Sequence, residues 1–174
     1  MKAEERGRAI ELILSDVDGV LTNGGIIYDN QGIELKQFHV RDGLGIKLWR
    51  RAGLEFGIIT GRNSHIVRVR AQEMGVTLIR QGVEDKWRAT QQVMDELRLE
   101  PIQVAYIGDD LPDLTVIQRV GWGVAVADAV PELKQAAAQV TSVGGGCGAV
   151  REVIEGLLKA RGMWEGLIQK YSAS

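Results

Sequence analysis

The sequence predicts an α/β fold, a Rossmann-like parallel sheet with helices on both faces, carried by a single domain over residues 1–174. Two observations predict it. Short apolar runs alternate with longer amphipathic stretches, which is the pattern of βαβ units. Two of those runs also end in acidic, glycine-containing turns, Asp16-Val17-Asp18-Gly19 and Gly108-Asp109-Asp110. In open α/β sheets the carboxyl ends of the strands are where ligands bind.

The elements follow in order. Ile10-Glu11-Leu12-Ile13-Leu14 opens a first strand over residues 10–15. The next segment breaks the alternation: residues 24–39 read as two β-like arms around the turn-rich Asp29-Asn30-Gln31-Gly32, a protruding β-hairpin. Such an arm cannot bury both faces on a domain this small, so a partner chain is its natural cover. The alternative is a hairpin packed on its own domain. Further strands are expected at 55–59 (Glu55-Phe56-Gly57-Ile58-Ile59), 76–79, 103–107 and 122–126 (Trp122-Gly123-Val124-Ala125-Val126). Amphipathic stretches between and after them predict helices at about 42–52, 63–74, 84–98, 111–119 and 130–138. The Gly-rich Gly144-Gly145-Gly146-Cys147-Gly148 then begins a carboxyl-terminal tail, 144–174, with a helix at about 148–160.

Composition narrows the function classes. With 174 residues the chain can bury one proper core and not two. The 21 basic and 23 acidic residues leave a net charge of −2, against the basic face that nucleic-acid binding requires. A lone cysteine, Cys147, excludes an internal disulfide framework and fits a reducing compartment. The charged amino terminus, Met1 to Arg8, leads straight into the first strand and lacks the apolar core of a signal peptide. No apolar run approaches the roughly 18 residues that span a bilayer. A cytoplasmic protein with neither membrane nor nucleic-acid partners is expected.

Four groups of residues carry the chemistry. Asp16 at a strand end can attack phosphorus if a divalent cation neutralises the phosphate, and Asp18 can protonate the leaving oxygen and later deprotonate water. Alternatively, such residues simply begin a loop. Thr60-Gly61 follows the second core strand, where a hydroxyl and backbone N–H groups form an anion site. Thr60 can equally cap the helix beginning near Asn63. Lys86 lies near a helix amino terminus, where a cation is unfavourable unless an anion compensates; a solvated lysine is the plain alternative. In Gly108-Asp109-Asp110-Leu111-Pro112-Asp113, three carboxylates repel one another unless solvated or gathered by a cation. Magnesium suits such a site, since it takes one or two carboxylates and fills its octahedron with water and phosphate. Asp109 is assigned as a direct ligand, with Asp110 or Asp113 behind it orienting water or Lys86.

Asp-x-Asp, Thr-Gly, Lys and Gly-Asp-Asp-x-x-Asp, in this order, resemble the haloacid dehalogenase-like superfamily of aspartate-nucleophile phosphatases. A receiver-type phospho-acceptor domain is the rival, but its acceptor Asp follows the third strand, where this chain has Leu78-Ile79-Arg80-Gln81. The resemblance implies Asp16 as nucleophile and Mg2+ ligand, and Asp18 as general acid/base lending its backbone carbonyl to the metal. It also implies Thr60, Gly61 and Lys86 as phosphate-binding residues and Asp109 as the remaining metal ligand. Having only a hairpin after the first motif and no insertion before Lys86, the chain resembles the capless subclass, whose sites neighbouring subunits close.

Phe38-His39-Val40-Arg41-Asp42-Gly43, Val124-Ala125-Val126-Ala127-Asp128 and Gly148-Ala149-Val150-Arg151-Glu152 are similar to the branch acting on 3-deoxy-D-manno-octulosonate 8-phosphate in lipopolysaccharide precursor synthesis. That implies a small-molecule sugar phosphate substrate and a homotetramer in which hairpins join and the Gly-rich tail approaches a neighbour's site. A nonulosonate 9-phosphate is the alternative substrate, and a non-catalytic assembly domain the alternative of another class. Arg41, Arg70 and Arg151 are candidate contacts for a sugar carboxylate, or partners of nearby Asp and Glu. Cys147 stands where this branch commonly carries arginine, and a thiol supplies neither its charge nor its reach.

Overall fold

The structure, a computed structural model, describes residues 3–171. Its centre is a six-stranded parallel sheet in the order β5-β4-β1-β6-β7-β8. Here β1 is Leu12–Ser15, β4 Glu55–Ile59, β5 Leu78–Arg80, β6 Val104–Gly108, β7 Trp122–Ala125 and β8 Gln139–Val140. β1 is buried throughout and lies between β4 and β6, with Leu14 opposite both Gly57 and Tyr106. A strand covered on both faces reads as a continuous apolar run, and Leu12-Ile13-Leu14 is one. The strand order reverses at β1, so its carboxyl end opens into the crevice between β4 and β6.

Helices flank the sheet in two contacting groups. One holds α1 (Ala3–Ala9), α2 (Val40–Arg51), α3 (His65–Met74), α7 (Ala149–Ala160) and α8 (Trp164–Ile168). The other holds α4 (Lys86–Leu97), α5 (Leu114–Ile117) and α6 (Pro131–Ala136). α7 shows how sequence dictates the packing: Val150, Val153, Ile154, Leu157 and Leu158 recur at three- and four-residue spacing and are all buried. α4 starts where Asp85 accepts a hydrogen bond from Arg88 N at 3.0 Å.

Several expectations are corrected. The amino terminus does not run straight into β1: α1 intervenes and is tied to the end of α7, with Arg8 Nε donating to Ala160 O at 2.9 Å. The helix expected at 111–119 is a 3-10 turn, Leu111–Asp113, followed by the single turn α5. Pro112 and the reciprocal bonding of Asp110 and Asp113 hold that turn tight. β8 and α8 were not expected. β8 has two residues, too few for periodicity to register, and it is placed by its pairing with β7 and by Trp122 Nε1 donating to Gln139 Oε1 at 2.9 Å. Among the described residues no helix is long and apolar enough to cross a membrane.

Outside the main sheet, β2 (Ile27–Tyr28) pairs antiparallel with β3 (Glu34–Leu35). Asp29 Oδ1 closes the connection by accepting from Gln31 N and Ile33 N, both at 2.8 Å. Alternate residues of a strand face opposite sides. Ile33 and Leu35 are exposed, with Ile27 opposite Leu35, whereas Glu34 and Lys36 turn toward the body of the domain.

Candidate active site

The crevice beyond β1, β4 and β6 gathers residues from four distant parts of the chain. Asp16 continues the sheet pairing, its N–H donating to Ile107 O at 3.0 Å. The chain then turns sharply, with Val17 O accepting from the N–H groups of Val20, Leu21 and Thr22. One Asp16 oxygen accepts from Val17 N at 2.7 Å and the other from Lys86 Nζ at 2.6 Å. The same ammonium reaches Asp113 Oδ1, also at 2.6 Å. Asp113 is wholly buried and fully committed, accepting further from Tyr106 OH at 2.7 Å and from the N–H groups of Asp109 and Asp110 at 3.0 and 3.3 Å. It therefore serves as a strut that fixes Lys86 and the Asp109 turn. Asp110 caps that turn, accepting from Leu111 N at 2.7 Å.

Carboxylate oxygens of Asp16, Asp109 and Asp113 lie within 4.8 Å of one another. Burial, helped by Asp113 and opposed by Lys86, pushes the Asp16 carboxyl up to about 6. Burial together with Asp113 and Asp16 pushes Asp109 to about 7. Lys86 is pulled down by burial, but Asp16 and Asp113 more than reverse this and hold it above the ordinary lysine value. One ammonium thus faces three carboxylates. A buried set with excess negative charge and oxygen-only donors fits a hard divalent cation, and Asp16 and Asp109 are the members that could hold it.

Gly19 makes room for this arrangement. Its φ is +89°, and a Cβ there would stand 2.0 Å from Asp109 Oδ2. Gly19→Ala should therefore displace the Asp109 carboxylate and cost about 1 kcal/mol in backbone strain as well. The expected result is a loss of more than about 100-fold in metal-dependent activity with a modest fall in melting temperature. An alanine variant with unchanged kcat/KM would contradict this placement.

A cavity of about 420 Å³ opens over these residues, lined by Asp16, Asp18, Thr60, Gly61, Arg62, Lys86, Asp109 and Asp110 among others. Thr60 does not cap α3, which starts later, at His65, with Ser64 at the cap position. Instead Thr60 is held by backbone bonds to Arg80 and Val83, with Gly61 beside it, facing the cavity.

Asp18 brings in residues that sequence reasoning missed. Its Oδ1 accepts from Lys36 Nζ, while Oδ2 is buried without a partner. Lys36 also lies 3.3 Å from Glu34 Oε1. Glu34 in turn accepts from Arg62 at 2.6 Å and from Ser64 Oγ at 2.7 Å. Burial works against ionisation of Glu34, but the bonds from Ser64 and Lys36 and the nearby Arg62 hold its carboxyl below the usual range. The available signal was Glu34-Leu35-Lys36, polar residues on one face of a strand whose other face is apolar. Tyr106, an aromatic hydroxyl within a core strand, was also missed.

Arg41, Arg70 and Arg151 do not line this cavity within the chain. Arg151 Nε pairs with Glu155 at 3.3 Å and its guanidinium lies 4.9 Å from the centroid of the Trp164 ring. Arg70 pairs with Glu73 at 3.0 Å and stacks on Phe38. Arg41 and Arg151 share a separate cavity of about 390 Å³ with the exposed Cys147. The Gly-rich loop nevertheless supports the Asp16–Thr22 turn, since Gly146 N donates to Val20 O at 2.9 Å.

Comparison with known proteins shows the family. Residues 67–154 match the haloacid dehalogenase-like hydrolase family. The chain is 46% identical over 162 residues to the 3-deoxy-D-manno-octulosonate 8-phosphate phosphatase of Yersinia pestis, covering 93% of this chain and 87% of that one. It is 47% identical over 153 residues to the Escherichia coli K12 enzyme of that name, covering 88% and 81%. Among solved structures, that of the Moraxella catarrhalis phosphatase with magnesium, phosphate and KDO superposes with a TM-score of 0.95 at 40% identity, covering 97% of each chain.

Proposed function

The chain belongs to the haloacid dehalogenase-like hydrolase family, and on that premise we propose that it is a magnesium-dependent phosphatase hydrolysing 3-deoxy-D-manno-octulosonate 8-phosphate. It would yield the free sugar acid and phosphate in lipopolysaccharide precursor synthesis. The observation that carries this reading is the Asp16 carboxylate, clamped by Lys86 and facing a cavity that Asp18, Thr60, Gly61 and Asp109 also line. Its support in relatives is the identity of 46–47% to phosphatases named for this ester.

The residues divide the reaction among them. Asp16 attacks phosphorus in line, forming an aspartyl-phosphate and releasing the sugar oxygen. Lys86, the Thr60 hydroxyl and the N–H of Gly61 hold the phosphoryl oxygens as charge shifts toward the leaving group. Asp18 gives its proton to the departing oxygen, then takes one from the water that opens the aspartyl-phosphate. Magnesium, held by Asp16 and Asp109 with the Asp18 carbonyl, supplies electrostatic neutralisation of the phosphate when bound. Asp113 touches no substrate; it keeps Lys86 and the Asp109 turn in position.

The protein acts in the cytoplasm, as its charge balance and single cysteine suggest, and as a homotetramer. Support for assembly comes from the hairpin's apolar outer face, on which Ile27, Ile33 and Leu35 are exposed. In such an assembly a neighbour's Arg151 and Gly-rich tail would close the cavity. Cys147, in place of an arginine, keeps a second acidic sugar phosphate in view, a nonulosonate 9-phosphate.

The test is phosphate release from a panel of 3-deoxy-D-manno-octulosonate 8-phosphate, nonulosonate 9-phosphates and hexose phosphates. Preference for the octulosonate ester by at least about 10-fold in kcat/KM is expected, equivalent to about 1.4 kcal/mol of transition-state discrimination. Activity should vanish with EDTA and return with magnesium. Nonulosonate preference would keep the chemistry and move the substrate. Release from no ester would overturn the reading.

A further inference from the structure

The hairpin carries one residue whose surroundings do not fit a merely structural arm. Most of residues 23–35 are exposed, yet the Lys36 side chain is only 1% exposed and its ammonium sits between Asp18 Oδ1 and Glu34 Oε1. An ammonium taken out of water is stabilised only when paired, so its position is dictated by those two carboxylates. Glu34 is itself anchored to Arg62 and Ser64 in the β4–α3 connection. The chain Asp18–Lys36–Glu34–Arg62/Ser64 therefore spans the mouth of the crevice from β1 to β4. It fastens one Asp18 oxygen and leaves the other, Oδ2, without a partner.

We propose that Lys36 is a positioning residue for the proton transfer, fixing the rotation of the Asp18 carboxyl where Asp18 lines the cavity. This inference rests on the phosphatase reading and adds that the hairpin is part of the machinery that cleaves the ester. The step itself balances: the ester P–O bond breaks, the Asp16–P bond forms, and the proton on Asp18 passes to the sugar oxygen. Lys36 touches none of the reacting atoms. It acts through Asp18 by removing the rotational freedom of that carboxyl, and such preorganisation matters only when a proton must be delivered.

That condition separates this role from a structural one. A sugar alkoxide is a poor leaving group and needs the proton, whereas p-nitrophenolate leaves without one. Since kcat/KM reports the steps through ester cleavage, it isolates the half-reaction in which the leaving group departs. Lys36→Met should lower kcat/KM for 3-deoxy-D-manno-octulosonate 8-phosphate by about 100-fold, and for p-nitrophenyl phosphate by less than about 3-fold. Lys36→Arg, which keeps the charge and shifts the donor, should show an intermediate split. Glu34→Gln, which removes one of the two carboxylates that place the Lys36 ammonium, should show the same split in smaller measure.

Equal losses on the two esters in the Lys36 variants would reduce the residue to a hairpin fastener and overturn the proposal, as would no loss on either. If Lys36→Met does not fold, the split in Lys36→Arg decides by the same criteria. Failure of the phosphatase reading looks different: the unaltered protein with magnesium would then release phosphate from neither ester, and the role of Lys36 would fall with it.

Discussion

Asp16→Asn is expected to abolish turnover, lowering kcat by about 10⁴-fold or more, while the protein stays folded. The amide lacks the nucleophilic electron density of a carboxylate, and no neighbouring group can replace it in line. Asp109 and Asp113 stand nearby, but Asp113 has every oxygen occupied by Lys86, Tyr106 and two backbone N–H groups. The fold should survive because an amide oxygen still accepts one of the two bonds Asp16 now makes, from Val17 N or from Lys86. The change also removes a like charge beside Asp109, whose carboxyl Asp16 helps to push up. A melting temperature within a few degrees of the parent, with no phosphate released above the buffer rate, is the outcome to look for. Substantial turnover in this variant would displace Asp16 as nucleophile.

Lys86→Met should fail in both respects, in activity and in stability. Among the described residues its ammonium is the only cation within hydrogen-bonding distance of Asp16 and Asp113, both at 2.6 Å and all three buried. Removing it leaves carboxylates in a low-dielectric pocket with no partner charge, and breaking a buried pair from one side costs about 3–5 kcal/mol. For a chain of this length that is a fall of roughly 10 °C in melting temperature. Phosphate binding loses its buried cation too, so activity should drop by about 1,000-fold or more. Thermal unfolding at neutral pH, with and without magnesium, measures the first effect. Added magnesium should restore part of the stability, because a cation between Asp16 and Asp109 offsets the same repulsion. A variant as stable as its parent without metal would mean that the carboxylates had protonated at little cost, and the electrostatic account of this pocket would have to be abandoned.

The candidate site was legible in the sequence to the extent that its residues stand at strand ends. Thr60 follows an apolar run directly, and Asp16 and Asp109 follow theirs after one small residue; the alternation of such runs with amphipathic stretches identifies them as parallel strands. Lys86 was visible as a cation at the wrong end of a helix. What lies on the hairpin was not legible. Lys36 is one of 21 basic residues, and its alternation with Leu35 marks a polar face shared with Glu34 without saying that this face turns onto Asp18. Thr60 also reads as a helix cap, because a capping residue and an anion-binding residue have the same local signature; the start of α3 at His65 separates them. The two-residue β8 is too short for alternation to register, and the break in the helix expected at 111–119 leaves no mark in periodicity because Pro112 and the Asp110–Asp113 bonding set it.

By itself, then, the sequence determined the α/β class, the parallel strands and the residues at their ends, because hydrophobic periodicity and turn chemistry are local properties. Tertiary structure alone decided which charges meet. Lys86 is 70 positions from Asp16 and 27 from Asp113, and it reaches both because β1 is seated between β4 and β6. The same folding sets Lys36 on Asp18 and turns Arg151 toward Glu155 and Trp164. Coulomb energy and desolvation depend on distance through space and on burial, and neither quantity exists until the strands have chosen their neighbours.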